Sequence, residues 1–586
     1  MTQILLAQER TLSGVVRADD GSTLPGVNVT IKGTTNGTTT DENGKYTIQV
    51  PNDDAVLIYS FIGMEDQEVP VASQSNIDVG MVSGMVLDEV VVTALGISRE
   101  KKALGYSTQS VSGEDVARVK DVNFMSALSG QVSGAQIKNS GTMGGSANVI
   151  IRGYKSINGN NQPLYVVDGI PISNAITNSR NQRTGRGGFD YGNAAMDINP
   201  EDIEKIEVLK GAAATSLYGA RAANGVVIIV TKKGAKNKNG VGVTISSGVM
   251  AGVINNNTMP VYQKEYGPGY GQYYGSDTVF TGDIYDGYVE EVDTDGDGVI
   301  DGLASPIGED ASYGLAFDRA DELLTWESIY PELEDTYLKP QPYEAAENDA
   351  TTFYETAMQL TNSVSVDGGN ENGTYRMSVS DMRYKGIMPN SSLRRNNASI
   401  NVSYNLSDKL SVSSSMTFVK NEGLGRYGTG YDSRNVNQSF RQWYNVGTDY
   451  QAQWEAYDKT GKNLTWNPLG FGFAEGTRER PHYFDNPYFM RYESYANDVR
   501  NRIIGNVAAT YQLTDWLSVM GRVTNDSYDE LREERIADGS VDVPMYYKYT
   551  RSYYERNYDF ILSWKKSFGT DGKVSFDGNA GTNIRR

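Results

Sequence analysis

The sequence contains no cysteine and a single histidine, His482, among its 586 residues. The absence of cysteine excludes disulfide frameworks, thiol nucleophiles and cysteine-ligated zinc. A single histidine also excludes multi-histidine metal sites and disfavours a Ser-His-Asp triad. Carboxylates are nearly the only groups left for catalysis, and chemistry that uses carboxylates alone remains possible. We expect a protein that is not an enzyme and that requires no cofactor.

Long apolar runs and excess positive charge are missing as well. No stretch approaches the roughly 20 consecutive apolar residues that a membrane-spanning helix needs, so a membrane-crossing chain of this kind must form a closed β-barrel. The 53 Lys and Arg are outnumbered by 73 Asp and Glu, which gives a net charge of −20. This balance argues against a nucleic-acid partner, because phosphate binding needs a basic stripe.

The length of the chain predicts several structural units with separate cores. We expect a mainly β protein with a β-sandwich at 9–84, a linker at 85–98, a mixed α/β domain at 99–236 and part of an antiparallel β-barrel at 237–586. The opening MTQILLAQERT has a short apolar run and no basic flank, unlike a signal peptide. We therefore expect the true start of the protein to be missing.

The first unit alternates short β-rich runs with turns such as Asp20-Gly21 and Asn43-Gly44. Such spacing is typical of a small β-sandwich. The segments LSGVV, LPGVNVTIKGT and TDENGKYTIQVP resemble the carboxypeptidase-regulatory-like domain, a transthyretin-like sandwich that is not catalytic. Any small immunoglobulin-like module would predict the same architecture.

The linker contains LDEVVVTALG (87–96), in which two carboxylates precede three valines. Three successive valines favour extended backbone, and a solitary strand in a linker can add itself to the sheet edge of another protein. The segment resembles a TonB box, although many ordinary strands contain the same valines. The residues of the proposed box are Asp88, Glu89, Val90, Val91, Val92 and Thr93.

The third unit has clear helix and strand signals. A short helix is predicted over NFMSALSG (123–130), and strands over ANVIIRG (147–153) and PLYVV (163–167), the latter ending at the turn Asp168-Gly169. Asn199 is expected to cap a helix that begins with Pro200 and has acidic residues in its first turn. Strand, helix and strand are then expected over 206–211, 212–219 and 224–234.

Several ordered blocks in this unit resemble the plug domain of SusC/RagA-type TonB-dependent transporters: GQVSGAQI, NVIIRG, PLYVVDGIPI and NPEDIEKIEVLKGAAATSLYGARAANGVVIIVTKKG. The resemblance implies that the plug blocks an outer-membrane barrel and that the box reaches the periplasmic protein TonB, with ExbB and ExbD in the inner membrane. It also implies a SusD-like surface lipoprotein as partner. The cargo would be a large nutrient, either oligosaccharide or peptide.

The last unit follows a period of two, as in Ile400, Val402, Tyr404 and Leu406 against intervening serines and asparagines. Barrel strands alternate in this way between lipid and lumen. The pattern predicts about nine strands, with long loops near 255–349, 421–497 and 527–548. A plugged barrel needs about 22 strands, so we expect the chain to be a fragment of a longer protein.

Two kinds of site are predicted in the loops. The segment DTDGDGVID offers Asp293, Asp295, Asp297, the Val299 carbonyl and Asp301 at calcium-loop spacing, although position twelve is Ala304 rather than Glu. The alternative is a solvated acidic turn. Aromatic side chains that can stack on a cargo include Tyr431, Trp443, Tyr444 and Trp454; packing within the loops or an interfacial girdle would use the same residues.

Basic residues of the third unit, namely Arg152, Arg221, Lys232 and Lys233, are candidates to line the lumen or to serve structure. Import is the predicted function. The alternative is a glycan-binding or adhesion protein of the outer membrane that does not transport.

Overall fold

The computed structural model describes residues 10–18, 21–34, 36–61, 64, 66–82, 90–92, 98–100, 108–119, 121–157, 159–211, 218–235, 241–271, 288–294, 297–300, 302–469, 480–568 and 574–586. The chain divides into two compact units, Met1–Thr93 with Ile97–Gly105, and Ala94–Gly96 with Tyr106–Arg586. Among the described residues, none of the helices is long and apolar enough to cross a membrane.

The first unit is a β-sandwich with a three-stranded sheet, in the order β4-β1-β7, and a four-stranded sheet, in the order β3-β2-β5-β6. Alternate side chains of the strands enter the core, where the hydroxyl groups of Tyr46 and Tyr59 lie 2.6 Å apart. Two further strands pair as an antiparallel hairpin. The strands are β1 (Arg10–Ala18), β2 (Asn28–Ile31), β3 (Gly37–Thr39), β4 (Lys45–Val50), β5 (Val56–Ser60), β6 (Gln67–Pro70) and β7 (Val79–Met81), then β8 (Val90–Val92) and β9 (Ser98–Glu100).

The second unit begins with the domain that we call the plug, residues 108–235. Its main sheet has the order β10-β15-β16-β13-β14, with β11 and β12 as a separate pair. The elements are β10 (Thr108–Ser112), α1 (Gly113–Arg118), β11 (Ala135–Asn139), β12 (Ala147–Ile151), β13 (Leu164–Val167), β14 (Ile170–Ile172), α2 (Arg180–Arg183), β15 (Ile203–Leu209) and β16 (Val226–Thr231), with 3-10 helices at Phe124–Leu128, Ala194–Asp197, Pro200–Asp202 and Gly219–Ala222.

Local sequence explains these elements of the plug. Asn123 and Asn199 cap their 3-10 helices by accepting from the backbone N–H two residues on, as expected for a short polar side chain at a helix start. Strands β13 and β16 pair in parallel and are buried along their whole length, which fits their unbroken apolar sequences. The predicted helices at 123–130 and 199–202 are thus short 3-10 turns, and most of 212–219 lies outside the described residues.

The rest of the second unit is a nine-stranded antiparallel sheet, here called the wall, with long loops between some of its strands. Its strands follow one another in chain order and carry apolar residues such as Ile245 and Val364 on the exposed face and serines such as Ser365 and Ser378 on the buried face. The wall strands are β17 (Gly242–Gly252), β24 (Ala357–Gly369), β25 (Gly373–Lys385), β26 (Ser392–Asn405), β27 (Leu410–Leu424), β28 (Ala496–Thr514), β29 (Leu517–Ile536), β30 (Met545–Phe568) and β31 (Val574–Arg585). Over the residues that the structure describes, the predicted number of strands is confirmed, and the polar inner face is typical of a transmembrane barrel.

The two longest loops carry structure of their own. The loop before β24 holds β18 (Gly269–Tyr270), β19 (Glu290–Val292), β20 (Gly302–Ala304), β21 (Ser312–Tyr313), β22 (Glu322–Leu323) and β23 (Gln341–Pro342), with 3-10 helices at Asn256–Thr258, Phe317–Arg319, Trp326–Ile329 and Ala350–Phe353. The loop before β28 holds α3 (Val436–Gln442), α4 (Tyr450–Thr460) and α5 (Pro487–Glu493).

The prediction of a long loop over 527–548 is wrong. Strand β29 continues to Ile536 and β30 begins at Met545, so only a short connection separates them. Buried side chains alternate along β29, and Asp526, Glu530 and Arg532 are among those buried on its inner face. A strand of the wall therefore carries charged side chains where these face inward.

Candidate functional site: the plug against the wall

A buried carboxylate, Asp197, joins the plug to the wall. It ends the 3-10 helix Ala194–Asp197 and has no exposed surface. Its Oδ1 accepts from Nδ2 of Asn421 at 2.6 Å and from Nη2 of Arg500 at 2.8 Å, and its Oδ2 accepts from Nη1 of Arg502 at 2.8 Å. We call these four residues the Asp197 cluster. Arg500 and Arg502 reach it together because residues two apart on a strand share a face.

The cluster extends to the next strand through Arg502. Its Nε donates to Oδ1 of Asp526 on β29 at 2.8 Å, and Asp526 also accepts from the backbone N–H of Ser173 in the plug at 2.8 Å. Opposite charges buried together in this way compensate each other's desolvation, whereas removal of one partner leaves an unpaired buried charge.

Further polar contacts fix other parts of the plug to the wall. Arg376 pairs with Asp202 at 2.7 Å, and Arg221 pairs with Glu555 at 2.7 Å. Nη1 of Arg395 donates to the carbonyl oxygens of two plug residues, both at 2.8 Å. These parts of the plug are therefore held to the wall by hydrogen bonds and ion pairs, which water can replace when the surfaces separate.

Within the plug, Asp190 holds several segments together. It accepts from the backbone N–H of Ser146 at 2.8 Å, from Oγ of Ser146 at 2.7 Å and from Nδ2 of Asn178 at 2.7 Å. Burial acts to raise the pKa of this carboxyl group, but the hydrogen bonds outweigh burial and lower its pKa. The plug thus has internal bracing that is separate from its contacts with the wall.

The proposed TonB box lies ahead of the plug. Val90, Val91 and Val92 form strand β8, as the three valines predicted, and the backbone of β8 pairs with β9. Asp88, Glu89 and Thr93 lie outside the described residues. Part of the box is therefore strand before any partner binds.

The predicted calcium loop closes the hairpin of β19 and β20. Oδ2 of Asp293 accepts from the N–H of Gly298 at 2.7 Å, and Oδ1 of Asp297 accepts from the N–H of Val299 at 2.8 Å. Asp295 and Asp301 lie outside the described residues, and among those described no three acidic side chains converge as a metal site. Backbone N–H groups of the loop therefore donate to two of the predicted ligands, and calcium binding stays a prediction.

The predicted cargo-binding aromatics fall into two groups. Tyr431 is 69% exposed. Tyr444 is 7% exposed and its ring centroid lies 4.6 Å from that of Tyr262, while Trp454 packs against Tyr488 at 5.1 Å. Trp443, at the end of α3, is half-buried. The structure therefore places Tyr444 and Trp454 in an aromatic core of the loops and leaves Tyr431 accessible.

The predicted basic residues of the plug lie in different environments. Arg221 contacts the wall, and Lys232 and Lys233 line a cavity between plug and wall. Arg152 has a φ of 56°, a left-handed conformation that is uncommon for a residue with a side chain. The Asp197 cluster was not predicted, although Arg500 and Arg502, spaced two apart in one strand, carry a signal for charge on one face.

Comparison with known proteins agrees with this arrangement. A model of the TonB-dependent receptor plug domain matches residues 100–226, and a model of the CarboxypepD_reg-like domain matches residues 12–92. The TonB-dependent receptor SusC of Bacteroides thetaiotaomicron is 31% identical over 397 residues, covering 68% of this chain and 32% of that protein. TonB-dependent receptor P26 of Formosa agariphila is 42% identical over 225 residues, covering 38% of this chain and 21% of that protein.

The fold has a solved counterpart in the structure of the RagAB peptide importer in its open-open state. The two superpose with a TM-score of 0.58 at 20% identity, covering 84% of this chain and 48% of that one. The chain thus spans less than half the length of these relatives. With these matches, and with a sandwich, a plug and a nine-stranded wall among its described residues, it belongs to the SusC/RagA family of TonB-dependent receptors.

Proposed function

We propose that this protein takes part in the active import of a large nutrient, an oligosaccharide or alternatively a peptide, across the outer membrane of a Gram-negative, Bacteroidota-like bacterium. Its curated relatives include TonB-dependent receptors from Bacteroides and Formosa, which supports this location and this energy source. A SusD-like lipoprotein would hold the cargo at the side of the long loops. No bond of the cargo is broken, so the protein acts as a transporter rather than an enzyme.

The proposed cycle uses the box as an added strand. TonB pairs with Asp88 to Thr93, and ExbB and ExbD in the inner membrane drive the pull on the linker. The plug then shifts and the cargo passes. Main-chain hydrogen bonds supply the affinity of such an added strand, so the extended backbone of β8 suits the role.

The observation that carries this proposal is the set of polar contacts that hold the plug against the wall. The Asp197 cluster and the Arg376–Asp202 pair hold the plug by charge-assisted hydrogen bonds. A large apolar interface would expose its surface to water each time the plug moved, at about 25 cal/mol per Å². Polar groups regain hydrogen bonds with water when they separate, so contacts of this kind suit a plug that must move repeatedly.

The test replaces Val91 in the full-length protein. Val91→Pro removes a backbone N–H and disfavours the added strand, whereas Val91→Thr keeps the N–H and the preference for extended backbone. Cells are supplied with fluorescent starch oligosaccharides or fluorescent peptone peptides. We expect Val91→Pro to retain surface binding and to lose accumulation, with Val91→Thr unchanged. If accumulation were equal in both variants, or if surface binding occurred without any accumulation in the unaltered protein, the non-transporting adhesion protein would be favoured instead.

A further inference from the structure

One turn of the plug carries three exposed arginine side chains, Arg180, Arg183 and Arg186. We call residues 179–188 the arginine turn. The sequence from 169 to 189 contains no aspartate or glutamate, although acidic residues outnumber basic ones in the whole chain by 73 to 53. Within the part of the chain that the structure describes, the three guanidinium groups form no ion pair and no hydrogen bond. The turn is therefore a local positive charge without a carboxylate partner among those residues.

Backbone contacts give the arginine turn a fixed shape. The N–H of Arg186 donates to the carbonyl oxygen of Asn181 at 2.8 Å, and Oγ1 of Thr184 donates to the carbonyl oxygen of Arg180 at 3.0 Å. Arg180 and Arg183 are three positions apart on α2, and residues at this spacing are neighbours on a helix surface. The side chains thus project from a backbone that is already folded, which lowers the entropy that a ligand must remove on binding.

The long loop before β28 contacts the arginine turn. The N–H of Gly188 donates to Oδ2 of Asp432 at 2.9 Å, and the N–H of Thr429 donates to the carbonyl oxygen of Gly188 at 2.9 Å. Gly430 has a φ of 65°, and a Cβ there would lie 2.3 Å from the carbonyl oxygen of Gly185, so glycine alone allows this close approach. The arginines therefore lie beside the long loops, where the proposed function places the cargo.

The loop adds an aromatic ring next to these charges. Tyr431 is 69% exposed, and the residues on either side of it both approach the arginine turn. Asp432 is already paired with Arg434 at 3.1 Å, and the same arginine lies 3.5 Å from Glu534. A flat ring beside free guanidinium groups suits a sugar that carries an acidic group, because the ring can stack on the sugar face while a guanidinium binds the acid.

We propose that the arginine turn binds an anionic oligosaccharide, whose sugars carry carboxylate or sulfate groups. This inference rests on the proposed import function and names the class of its cargo. Guanidinium groups form short charge-assisted hydrogen bonds with such oxyanions, and these bonds are frequently bidentate. The net charge of −20 repels an anion from the chain as a whole, so a cationic turn beside the loops supplies a local attraction.

The test compares two variants of equal net charge in the purified full-length protein. Arg180→Gln with Arg183→Gln removes two charges from the arginine turn, whereas Arg118→Gln with Lys138→Gln removes two charges from other exposed positions of the plug. The probes are fluorescent oligogalacturonate, which has a carboxylate on each sugar, sulfated carrageenan oligosaccharides, neutral malto-oligosaccharides and oligo-glutamate. Fluorescence anisotropy measures each affinity at low salt and again at about 0.5 M salt, where exposed charges are screened.

We expect at least one of the two anionic oligosaccharides to bind more tightly than the neutral one, and the better of the two identifies the acidic group. The arginine-turn variant should lose about tenfold or more in affinity, since it lacks charge-assisted hydrogen bonds to the probe. The control variant should bind as the unaltered protein does. High salt should weaken binding to the unaltered protein.

Several results would overturn the inference. Equal losses in the two variants would reduce the effect to net charge. Binding of neither anionic oligosaccharide, or binding of oligo-glutamate as tight as theirs, would exclude an acidic glycan as the specific ligand. A lower melting temperature of the arginine-turn variant without any probe would show that these guanidinium groups pair within the full-length protein and serve its stability.

Uptake by cells separates this inference from the proposed function. The cells receive the anionic oligosaccharide that binds best to the purified protein. If the arginine-turn variant bound and accumulated it as the unaltered protein does, the inference would fail and the import function would stand. If Val91→Pro accumulated as much as the unaltered protein while the arginine-turn variant bound weakly, the binding site would stand and TonB-driven import would fail.

Discussion

Arg502 of the wall donates to Asp197 of the plug and, through its Nε, to Asp526 of the neighbouring strand, with both distances 2.8 Å. The Arg502 side chain is 2% exposed and the two carboxylates are 0% and 1% exposed. One guanidinium thus ties the plug to two strands at once. Arginine suits this position because its planar fork of donors serves two carboxylates in fixed directions.

Loss of the Asp197 charge is expected to loosen the plug. Asp197→Asn leaves Arg500 and Arg502 buried with one carboxylate fewer, and breaking a buried pair in this way costs about 3–5 kcal/mol. Thermal unfolding in detergent and the rate of plug proteolysis measure the effect. Asp115→Asn is the matched control in the same domain, since the Asp115 side chain is 48% exposed and lies 3.7 Å from Arg118; it should change stability by less than about 1 kcal/mol. Equal stability of the two variants would contradict the structural role of the cluster.

The sequence predicted the architecture well because each unit has its own local signal. Alternation marked the wall strands, as in Ile400 to Leu406 within β26, and Asn199 with Pro200 marked a helix start. The residues of the Asp197 cluster, which hold the plug against the wall, were not predicted. Asp197 meets Arg502 across 305 positions of sequence, and no local pattern specifies which inward charge of a strand faces which turn of the plug.

The loop aromatics show a second limit of sequence reasoning. Tyr431 and Tyr444 lie 13 positions apart in the same loop and have the same chemistry, yet one is exposed and the other buried. Burial here depends on rings brought in from other segments, such as Tyr262 and Tyr450. Composition indicated an aromatic loop but not which rings form its core.

Pairing of β8 with β9 is expected to compete with TonB. Val91 lies opposite Arg99 in this hairpin, so Arg99→Pro should disrupt β9 and leave the box open to a partner strand. If a larger fraction of molecules has a box that is not paired with β9, the apparent affinity for TonB rises in proportion. Titration with the periplasmic domain of TonB should therefore show severalfold tighter binding for Arg99→Pro. Arg99→Thr, which keeps the N–H, should bind as the unaltered protein does; unchanged or weaker binding by Arg99→Pro would exclude the competition.

Asp485 makes the stability of the loops depend on pH. Its Oδ1 accepts from the N–H of Val541 at 2.7 Å and from Nδ2 of Asn463 at 2.8 Å, which joins the loop before β28 to the connection after β29. Burial raises the pKa of Asp485 to about 6, from an ordinary 3.8. Because the folded value is the higher one, stability from this group is complete below pH 3.8, falls as the pH rises and is lost above about pH 6.

Asp485→Asn should therefore stabilise the loops at pH 8 and have little effect at pH 4. The difference in pKa corresponds to about 3 kcal/mol at most. Limited proteolysis of the loops across this pH range measures the effect. Asp458→Asn, at an exposed position of α4 in the same loop, is the control and should show no such dependence. A variant that is less stable than the unaltered protein at pH 8 would show that the charged form is favoured.

The hairpin of β19 and β20 is proposed to bind calcium. Its two described aspartates, Asp293 and Asp297, already receive backbone N–H groups of their own loop, which shapes the turn that calcium loops require. Calorimetric titration with calcium should give a Kd on the order of 10⁻⁴–10⁻³ M, as in extracellular calcium modules. Asp293→Asn should weaken binding, whereas Asp318→Asn, elsewhere in the loop, should not. Identical titrations of both variants would reduce the segment to a solvated acidic turn.

Tyr431 and Tyr444 are expected to differ in what they do. Tyr444 is packed between Tyr262 and Tyr450, with ring centroids 4.6 Å and 5.7 Å away, so Tyr444→Ala should destabilise the loops by about 3–5 kcal/mol, as for other large-to-small core changes. Tyr431 is 69% exposed, and Tyr431→Ala should leave stability unchanged within about 0.5 kcal/mol. Loop proteolysis and the binding of starch oligosaccharides and peptone peptides separate the two effects. A weaker affinity for one of these cargoes in Tyr431→Ala, restored in Tyr431→Phe, would identify its ring as a stacking surface, since phenylalanine keeps the aromatic face and loses only the hydroxyl. Unchanged affinity for both would exclude Tyr431 from cargo binding.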